Sequence, residues 1–567
     1  VARERLDRFA IARELRELGA LLRLKGGNRF RARAYEGGAR ALEELEPDLG
    51  TLVTEARLEE IEGIGPALAR VVTELYERGT CRLLEELRAE MPRGVLELAA
   101  VPGLSVARAR RLQETLGIDS IDALRAACEA GRLREVAGFG PRSEARLLEA
   151  IERLEARAAE TLLVHARGPA LRLLDHVRAS PGTIRAEVAG GVRRWTETVR
   201  EIVLVVASED VDAVLEHVRR YPPVVAFSLK DGVARGRLAG GLPFDLHVVA
   251  RAAFGPTLVR ATGSAAHVGR LEALGLARTT GSEDDVYRAL GLPPIPPELR
   301  EGAGEVEAAL AGDRFEDLVA LGDVRGMVHC HTDASDGRAT VEEMARAARG
   351  LGMELITITD HSPQAAYAGG LTEDRLLRQW DEIARVEERV GIRILRGTEA
   401  DILRDGSLDW PDRILERLEV VIASVHQRWK LGRDETTRRL VRAIEHPFFK
   451  IWGHPLGRLV ARRPPIDCDM EAVLDAAARS PVALEVNGDP YRLDLEPRWI
   501  RAARARRIPF VVSTDAHSTR GLETLPFAVA LARRGGLRRR DVLNTLDAAS
   551  FARAVRPHAP VAGASGR

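Results

Sequence analysis

The segment GMVHCHTDASDG, residues 326–337, decides how the second half of the chain folds. Its apolar start reads as a buried strand, on which His329 and His331, two residues apart, share one face while Cys330 takes the other. Apolar runs of the same kind follow as ELITITDH (354–361), IRILRGTEADI (392–402), VVIASVH (420–426), IWGHP (451–455), VALEVNG (482–488) and PFVVSTDAH (509–517), with amphipathic helical stretches between them. Strand then helix, repeated about seven times, predicts a parallel α/β barrel or a relative of one, with the polar residues at the strand ends converging on a single mouth.

Those ends carry the chemistry. Eight of the 13 histidines lie beyond residue 325, and six of the eight stand at or just past the end of an apolar run. His329, His331, Asp336, His361, Glu399, His426, His454, Asp515 and His517 form a set of imidazoles and carboxylates that suits borderline or hard divalent metals. His446 and His558 match no such position and read as structural or exposed.

Outward from this region, 567 residues are too many for one core, and three or four domains are expected. No apolar run approaches the roughly 18 residues of a membrane span, which excludes that class. The first residues are charged and do not read as a secretory signal, so a cytoplasmic protein is expected. Cys81, Cys128, Cys330 and Cys468 are scattered, which argues against a disulfide framework or a thiolate zinc site. With 85 basic and 85 acidic residues the chain is neutral, yet residues 1–34 hold ten cations against four anions, and RRGGLRRR at 533–540 holds five arginines and no acid. Local contacts to a nucleic-acid backbone therefore stay open. Only Lys25, Lys230, Lys430 and Lys450 are lysines, so amine chemistry is scarce and most arginines are expected on solvated helix faces.

From residue 1 to about 155 the pattern is one of short helices broken at glycine. Three breaks share a form: Ile61-Glu62-Gly63-Ile64-Gly65-Pro66, Val101-Pro102-Gly103-Leu104-Ser105 and Val136-Ala137-Gly138-Phe139-Gly140-Pro141. They resemble helix-hairpin-helix turns, in which the small residues let the backbone approach DNA and the following helix offers free N–H groups to phosphate. Gly63, Gly65, Gly103, Ser105, Gly138 and Gly140 are the candidate DNA contacts, with Lys25 as a further phosphate contact. From about 160 to 300, the strand-like runs GTIRAEVAGG, EIVLVVAS and LPFDLHVVA alternate with helical stretches and predict an α+β domain closed by GLPPIPPEL. The expected boundaries are 1–85, 86–155, 156–325 and 326–567.

HCHTDASDG, TDHS, GTEAD, SVH, GHP and STDAH resemble the successive motifs of the PHP (polymerase and histidinol phosphatase) metallo-hydrolases, a distorted β/α barrel. The resemblance implies up to three ions: one on His329, His331, Glu399 and Asp515, a second on Glu399, His426 and His454, and a third on Asp336, His361 and His517. Mn²⁺ is the implied ion, with Zn²⁺ or iron also compatible. Arg458, four residues after His454, is a candidate phosphate clamp.

AGGVRRWTETVREIVLVVAS in turn resembles the palm motif of family X DNA polymerases, a nucleotidyltransferase frame. Gly190, Arg193, Arg194, Glu197 and Thr198 match it, TGS at 262–264 and VYRALGLPPIPPELREG at 286–302 resemble the thumb, and the domain order is that of the bacterial members. By this resemblance Gly190, Gly191 and Arg194 would hold a nucleotide phosphate, and Glu201 and Asp245 would be the palm carboxylates. Val203 occupies a position where the motif has a metal-binding aspartate, and Gly191 the position of a serine, so neither Mg²⁺ at the palm nor efficient polymerisation is expected. Ala67 and Val71 replace the lysines that would support lyase chemistry in the helix after the first hairpin. The expectation is a monomeric DNA-repair enzyme, acting in base-excision or gap repair. Its PHP domain would hydrolyse phosphodiesters at the 3′ end of gapped or nicked DNA, with abasic-site cleavage or 3′-phosphate removal as related reactions. A gap-filling polymerase that binds dNTP, a small-molecule phosphatase and a DNA-binding scaffold are the alternatives.

Overall fold

The structure is a computed structural model. It describes residues 8–557 apart from 25–28, 45–48, 55, 62, 91–97, 99–100, 102, 159, 231, 239–241 and 428–430, so Lys25 and His558 lie outside the described residues. The chain forms two compact units, Val1–Ala159 and Glu160–Arg567.

In the first unit every described regular element is a helix. One core gathers Ile11, Leu15, Leu18, Leu42, Val72 and Leu75, and a second gathers Leu104, Leu112, Leu124, Leu133 and Ile151. The three hairpin turns share a backbone: Gly63, Gly103 and Gly138 stand at φ +86°, +85° and +90°, a conformation in which a Cβ is strained. Helices Pro66–Arg78, Val106–Leu116 and Pro141–Ala158 each start directly behind the next small residue, Gly65, Ser105 and Gly140. Ser105 departs from glycine without changing the turn, because its hydroxyl caps the helix by accepting the Arg108 N–H at 3.4 Å. Arg108 and Arg111 of that helix donate to the carbonyls of Gly138 and Ala137, both at 2.9 Å, and so brace the third turn.

The second unit begins with a two-stranded pairing of β1 (Thr161–Leu162) and β3 (Thr198–Val199). Beside it lies a five-stranded sheet in the order β2 (Arg185–Ala189), β4 (Ile202–Ala207), β7 (Pro243–Val249), β6 (Val233–Leu238), β5 (Val224–Lys230), with only β4 and β7 parallel. β4 is covered on both faces, which is why IVLVV reads as continuous: Ile202, Leu204 and Val206 pack with the helix Leu163–Arg178, while Val205 and Ala207 pack with Phe254 and Leu258. The antiparallel β5–β6 pairing adds to the strands that the sequence predicts for this region.

The C-terminal part holds seven strands in sequence order, all neighbours parallel: β8 (Gly326–Cys330), β9 (Leu355–Ile358), β10 (Arg393–Asp401), β11 (Val420–Ser424), β12 (Ile451–Trp452), β13 (Ala483–Asn487) and β14 (Phe510–Ser513). His331 N–H donates to the Ala516 carbonyl at 2.9 Å and Ala516 N–H to the His329 carbonyl at 3.1 Å, which joins the last strand to the first. Val328, Leu355, Leu395, Ile422, Ala483 and Val511 form an inner cluster plugged by Phe551 and Val555 of the helix Ala548–Val555. The period of two then dictates the site: beyond Leu395 the same face of β10 carries Glu399 and Asp401, and beyond Ala483 that of β13 carries Glu485 and Asn487.

Ion pairs join this barrel to the palm and thumb. Arg533 pairs with Glu298 at 2.8 Å, Arg534 with Glu197 at 2.8 Å, and Arg538 with Asp313 and with Asp317, the latter at 2.6 Å. The arginine run expected to meet DNA is thus largely occupied within the chain. In the thumb, Glu283 sits between Arg193 at 2.7 Å and Arg300 at 2.5 Å. Burial alone would raise the Glu283 pKa, but the hydrogen bond from Arg193 and the nearby Arg300 bring it down to about 2. A carboxylate depressed in this way stabilises the fold above its unfolded pKa, and that contribution is lost as pH falls from about 4.5 towards 2. Glu283→Gln should therefore cost about 3 kcal/mol at pH 7. Urea unfolding should show the gap to the wild type closing near pH 2; a gap independent of pH would contradict this account.

Candidate metal centre

Glu399, at the end of β10, is the meeting point of the barrel mouth. His454 Nε2 lies 2.9 Å and His426 Nε2 3.2 Å from its Oε1, while His361 Nδ1 lies 3.1 Å, His329 Nε2 3.3 Å and His331 Nε2 3.6 Å from its Oε2. Asp515 follows β14 and places Oδ1 3.5 Å from His329 Nε2 and 3.4 Å from His331 Nε2. Asp336, in the loop after β8, reaches His361 and His517, each at 3.4 Å.

Four groups have ligand atoms close enough together to share an ion: His331, Asp336, His361 and His517; His329, His331 and Asp515; His329, Glu399 and His454; His361, Glu399 and His426. His331 and His361 thus stand between groups that the family resemblance keeps apart. The Asp336 and His517 side chains are about one-third exposed, whereas His329 and His331 are fully buried, so the first group forms the open end of the site.

The donor set fits divalent cations. Among the described residues, His329 Nε2, both ring nitrogens of His331, His454 Nδ1 and Glu399 Oε2 are buried without a hydrogen-bond partner, a costly state that a cation would relieve. Electrostatics agree: burial disfavours charge on Glu399, yet His426, His329 and His361 hold its carboxyl well below the usual range. Burial also opposes charge on His426, but Glu399 and the hydrogen bond to Asp401 push it up to about 10. Burial, then His517 and His361, push His331 down to about 4. Three of these residues store backbone strain, with φ of +63° at His329, +25° at His454 and +52° at Asp515, as is common where a site dictates geometry.

Further residues orient the imidazoles. Glu485 Oε1 lies 2.5 Å from His329 Nδ1, and Asp401 Oδ1 2.5 Å from His426 Nδ1, each a carboxylate behind a histidine. Asp401 could have been found as the residue two beyond Glu399 on one strand face, and Glu485 as an acid inside a buried strand. Arg492 has no such signal: it lies outside regular structure, with Nε 3.3 Å from Asp515 Oδ2 and 3.6 Å from Asp489 Oδ2.

Arg458 requires a correction. It does not face the cluster as a phosphate clamp; its guanidinium donates to the carbonyls of Arg492 and Leu493 and pairs with Glu496 at 3.0 Å and Glu197 at 3.2 Å. At the palm, Glu201 is exposed just before β4. Asp245 lies opposite Val203 on one side and Arg235 on the other, with Arg235 Nε 3.5 Å from its Oδ2. Gly190 opens the short helix Gly190–Arg194 at φ +60°. At Gly191, a Cβ would come 2.5 Å from Thr196 Oγ1 and 2.8 Å from Val199 Cγ1, so the space for a serine is filled. Arg194, expected to meet phosphate, is held by Glu301 at 3.1 Å and by the Thr262 carbonyl.

Comparison with known proteins places these features. The Helix-hairpin-helix domain family model matches residues 7–81, the SAM-like Helix-hairpin-helix tandem matches 55–116 and 95–153, and the PHP domain matches 328–458. The chain is 32% identical over 561 residues to the DNA polymerase/3′-5′ exonuclease PolX of Bacillus subtilis (strain 168), covering 94% of this chain and 96% of that protein. A probable phosphatase of Thermoanaerobacter sp. (strain X514) is 31% identical over 229 residues, 38% of this chain and 89% of the relative. One from Caldicellulosiruptor saccharolyticus is 36% identical over 199 residues, 33% of this chain and 78% of the relative.

If the cluster holds cations, a divalent ion such as Mn²⁺ added to chelator-treated protein should raise the melting temperature, by the equivalent of about 2.7 kcal/mol at a hundredfold excess over Kd. The double variant His329→Ala/His331→Ala should lose this shift. An equal shift in both proteins would place the ions elsewhere.

Proposed function

The chain belongs to the bacterial family X DNA polymerases (PolX), and from that membership we propose that it works as a repair phosphodiesterase, removing nucleotides from the 3′ end of gapped or nicked DNA at its PHP domain. The PHP domain is that of a metal-dependent phosphoesterase family. The observation that carries the reading is the cluster around Glu399, whose buried lone pairs suit cations and whose open end, at Asp336 and His517, faces solvent.

The residues divide the work. Glu485 and Asp401 fix the rings of His329 and His426, so that the opposite nitrogens point to Glu399. Arg492 adds a cation beside Asp515, and among the described residues its Nη1 and Nη2 make no hydrogen bond, which leaves that edge for a phosphate. Divalent ions bound here, Mn²⁺ in this proposal, would lower the pKa of water towards neutrality and offset charge on the phosphate. The three hairpin turns, with Gly63, Gly65, Gly103, Ser105 and Gly138 exposed, would grip the DNA backbone through N–H groups at helix starts without reading bases. Among the described residues no helix is long and apolar enough to cross a membrane; action as a monomer in the cytoplasm completes the proposal.

The palm is proposed to bind and place rather than polymerise, because Val203 offers no ligand atom and Arg235 neutralises Asp245. The name of the Bacillus subtilis relative, with Asp245 in place here, favours a second reading as a gap-filling polymerase.

A 3′-labelled gapped duplex should lose its label in the presence of Mn²⁺ and be spared when the ion is chelated. Glu485→Gln should slow release about 10- to 100-fold while leaving the protein folded. Faster turnover of a generic phosphomonoester than of DNA would overturn the substrate assignment, and primer extension that disappears in Asp245→Ala would restore the polymerase.

A further inference from the structure

The palm residue Glu197 belongs to a motif that resembles nucleotide-binding machinery, yet it points at the barrel. Its Oε1 lies 3.2 Å from Arg458 Nη2 and its Oε2 2.8 Å from Arg534 Nη1, and all three side chains are largely buried. Arg458 uses the rest of its fork on the segment that follows β13: Nε donates to the Arg492 carbonyl at 3.0 Å, Nη2 to the Leu493 carbonyl, and Nη1 pairs with Glu496 at 3.0 Å. The same segment meets the palm again where His165 Nε2 lies 3.4 Å from the Tyr491 hydroxyl. Between these anchors stands Arg492, 3.3 Å from Asp515, and Leu493 behind it is held at φ +42°.

We propose that Glu197 is a positioning residue for the phosphodiesterase: through Arg458 it holds residues 489–496 in the conformation that sets Arg492 beside Asp515, and so couples the palm to the metal centre. The inference rests on the proposed hydrolysis but concerns a residue outside the centre. A guanidinium fork held by a carboxylate on one side can present its other N–H groups to two consecutive carbonyls, which a flexible ammonium cannot do as rigidly. The strained backbone at Leu493 needs such constraint, since it would relax if its carbonyl lost its donor. Retention of the palm motif beside a damaged ligand set then has a physical use: Arg194 and Glu197 are structural contacts of the barrel interface, Arg194 through Glu301 and Arg534.

The test uses the full chain, Mn²⁺ and the 3′-labelled gapped duplex. Glu197→Gln should raise KM and lower kcat/KM about 10- to 100-fold, the scale of a small misplacement of a positioning group, while bound metal per chain stays at the wild-type value. Combined with Arg492→Lys it should add no further loss, because both act on one contact. Glu298→Gln breaks another pair of the same interface, with Arg533, but none of the contacts of residues 489–496, and should stay within about twofold of wild type. If Glu197→Gln does not fold, Arg458→Lys replaces it with the same expectations. Wild-type kcat/KM in a folded Glu197→Gln or Arg458→Lys, or losses that multiply with Arg492→Lys, would overturn the proposal. An inactive wild type would instead overturn the assigned hydrolysis.

Discussion

Glu399 is fully buried in the barrel mouth with five imidazoles within 3.6 Å of its oxygens, a charge that could not remain there without compensation. The parallel strands exist to make that compensation possible. Each strand end brings one or two side chains to the same point, and the inward period of two decides which residues those are. The apolar plug of Phe551 and Val555 below closes the far end of the barrel, so that the polar residues collect at one mouth. Strained φ values at His329, His454 and Asp515 follow from the same demand, because three chain segments must bend to present ligand atoms to a common centre.

A second set of charges fixes how the parts of the second unit meet. The barrel meets the palm and thumb through arginine–carboxylate pairs at Glu197, Glu298, Glu301, Asp313 and Asp317, with Phe527 packed edge-on to Trp195 at 5.3 Å. Such pairs contribute little net stability once desolvation is counted, but they specify one relative arrangement, since any other leaves buried charges unpaired. The arginine run 533–540 looks like a phosphate-binding stretch in the sequence and is mostly an interface in the structure.

Much of this was legible in one dimension. The strand–helix repeat gave seven parallel strands in sequence order, and each histidine and carboxylate named as a metal-ligand candidate from His329 to His517 stands in the cluster, because strand ends and side-chain alternation are local properties. The hairpin glycines were legible for the same reason: a positive φ is demanded by the turn itself. What failed depended on partners distant in sequence. Arg458 was placed by its distance from His454, but its guanidinium answers to Glu197, 261 residues away, and to the carbonyls of the 489–496 segment. Arg492 carries no periodic signal because it lies in irregular chain.

Local pattern was enough to set the barrel strands and their order, the hairpin turns and the residue types at the candidate metal centre, because periodicity, turn chemistry and motif spacing are written within short windows. Tertiary structure alone decided which charges meet. It brings His331 and His361 between neighbouring candidate ligand groups, sets Glu485 and Asp401 behind their histidines, and pairs Glu197 with Arg458 and Arg534 of the barrel. The physical reason is that a Coulombic contact depends on distance in space and on shared burial, and neither is a property of neighbouring residues.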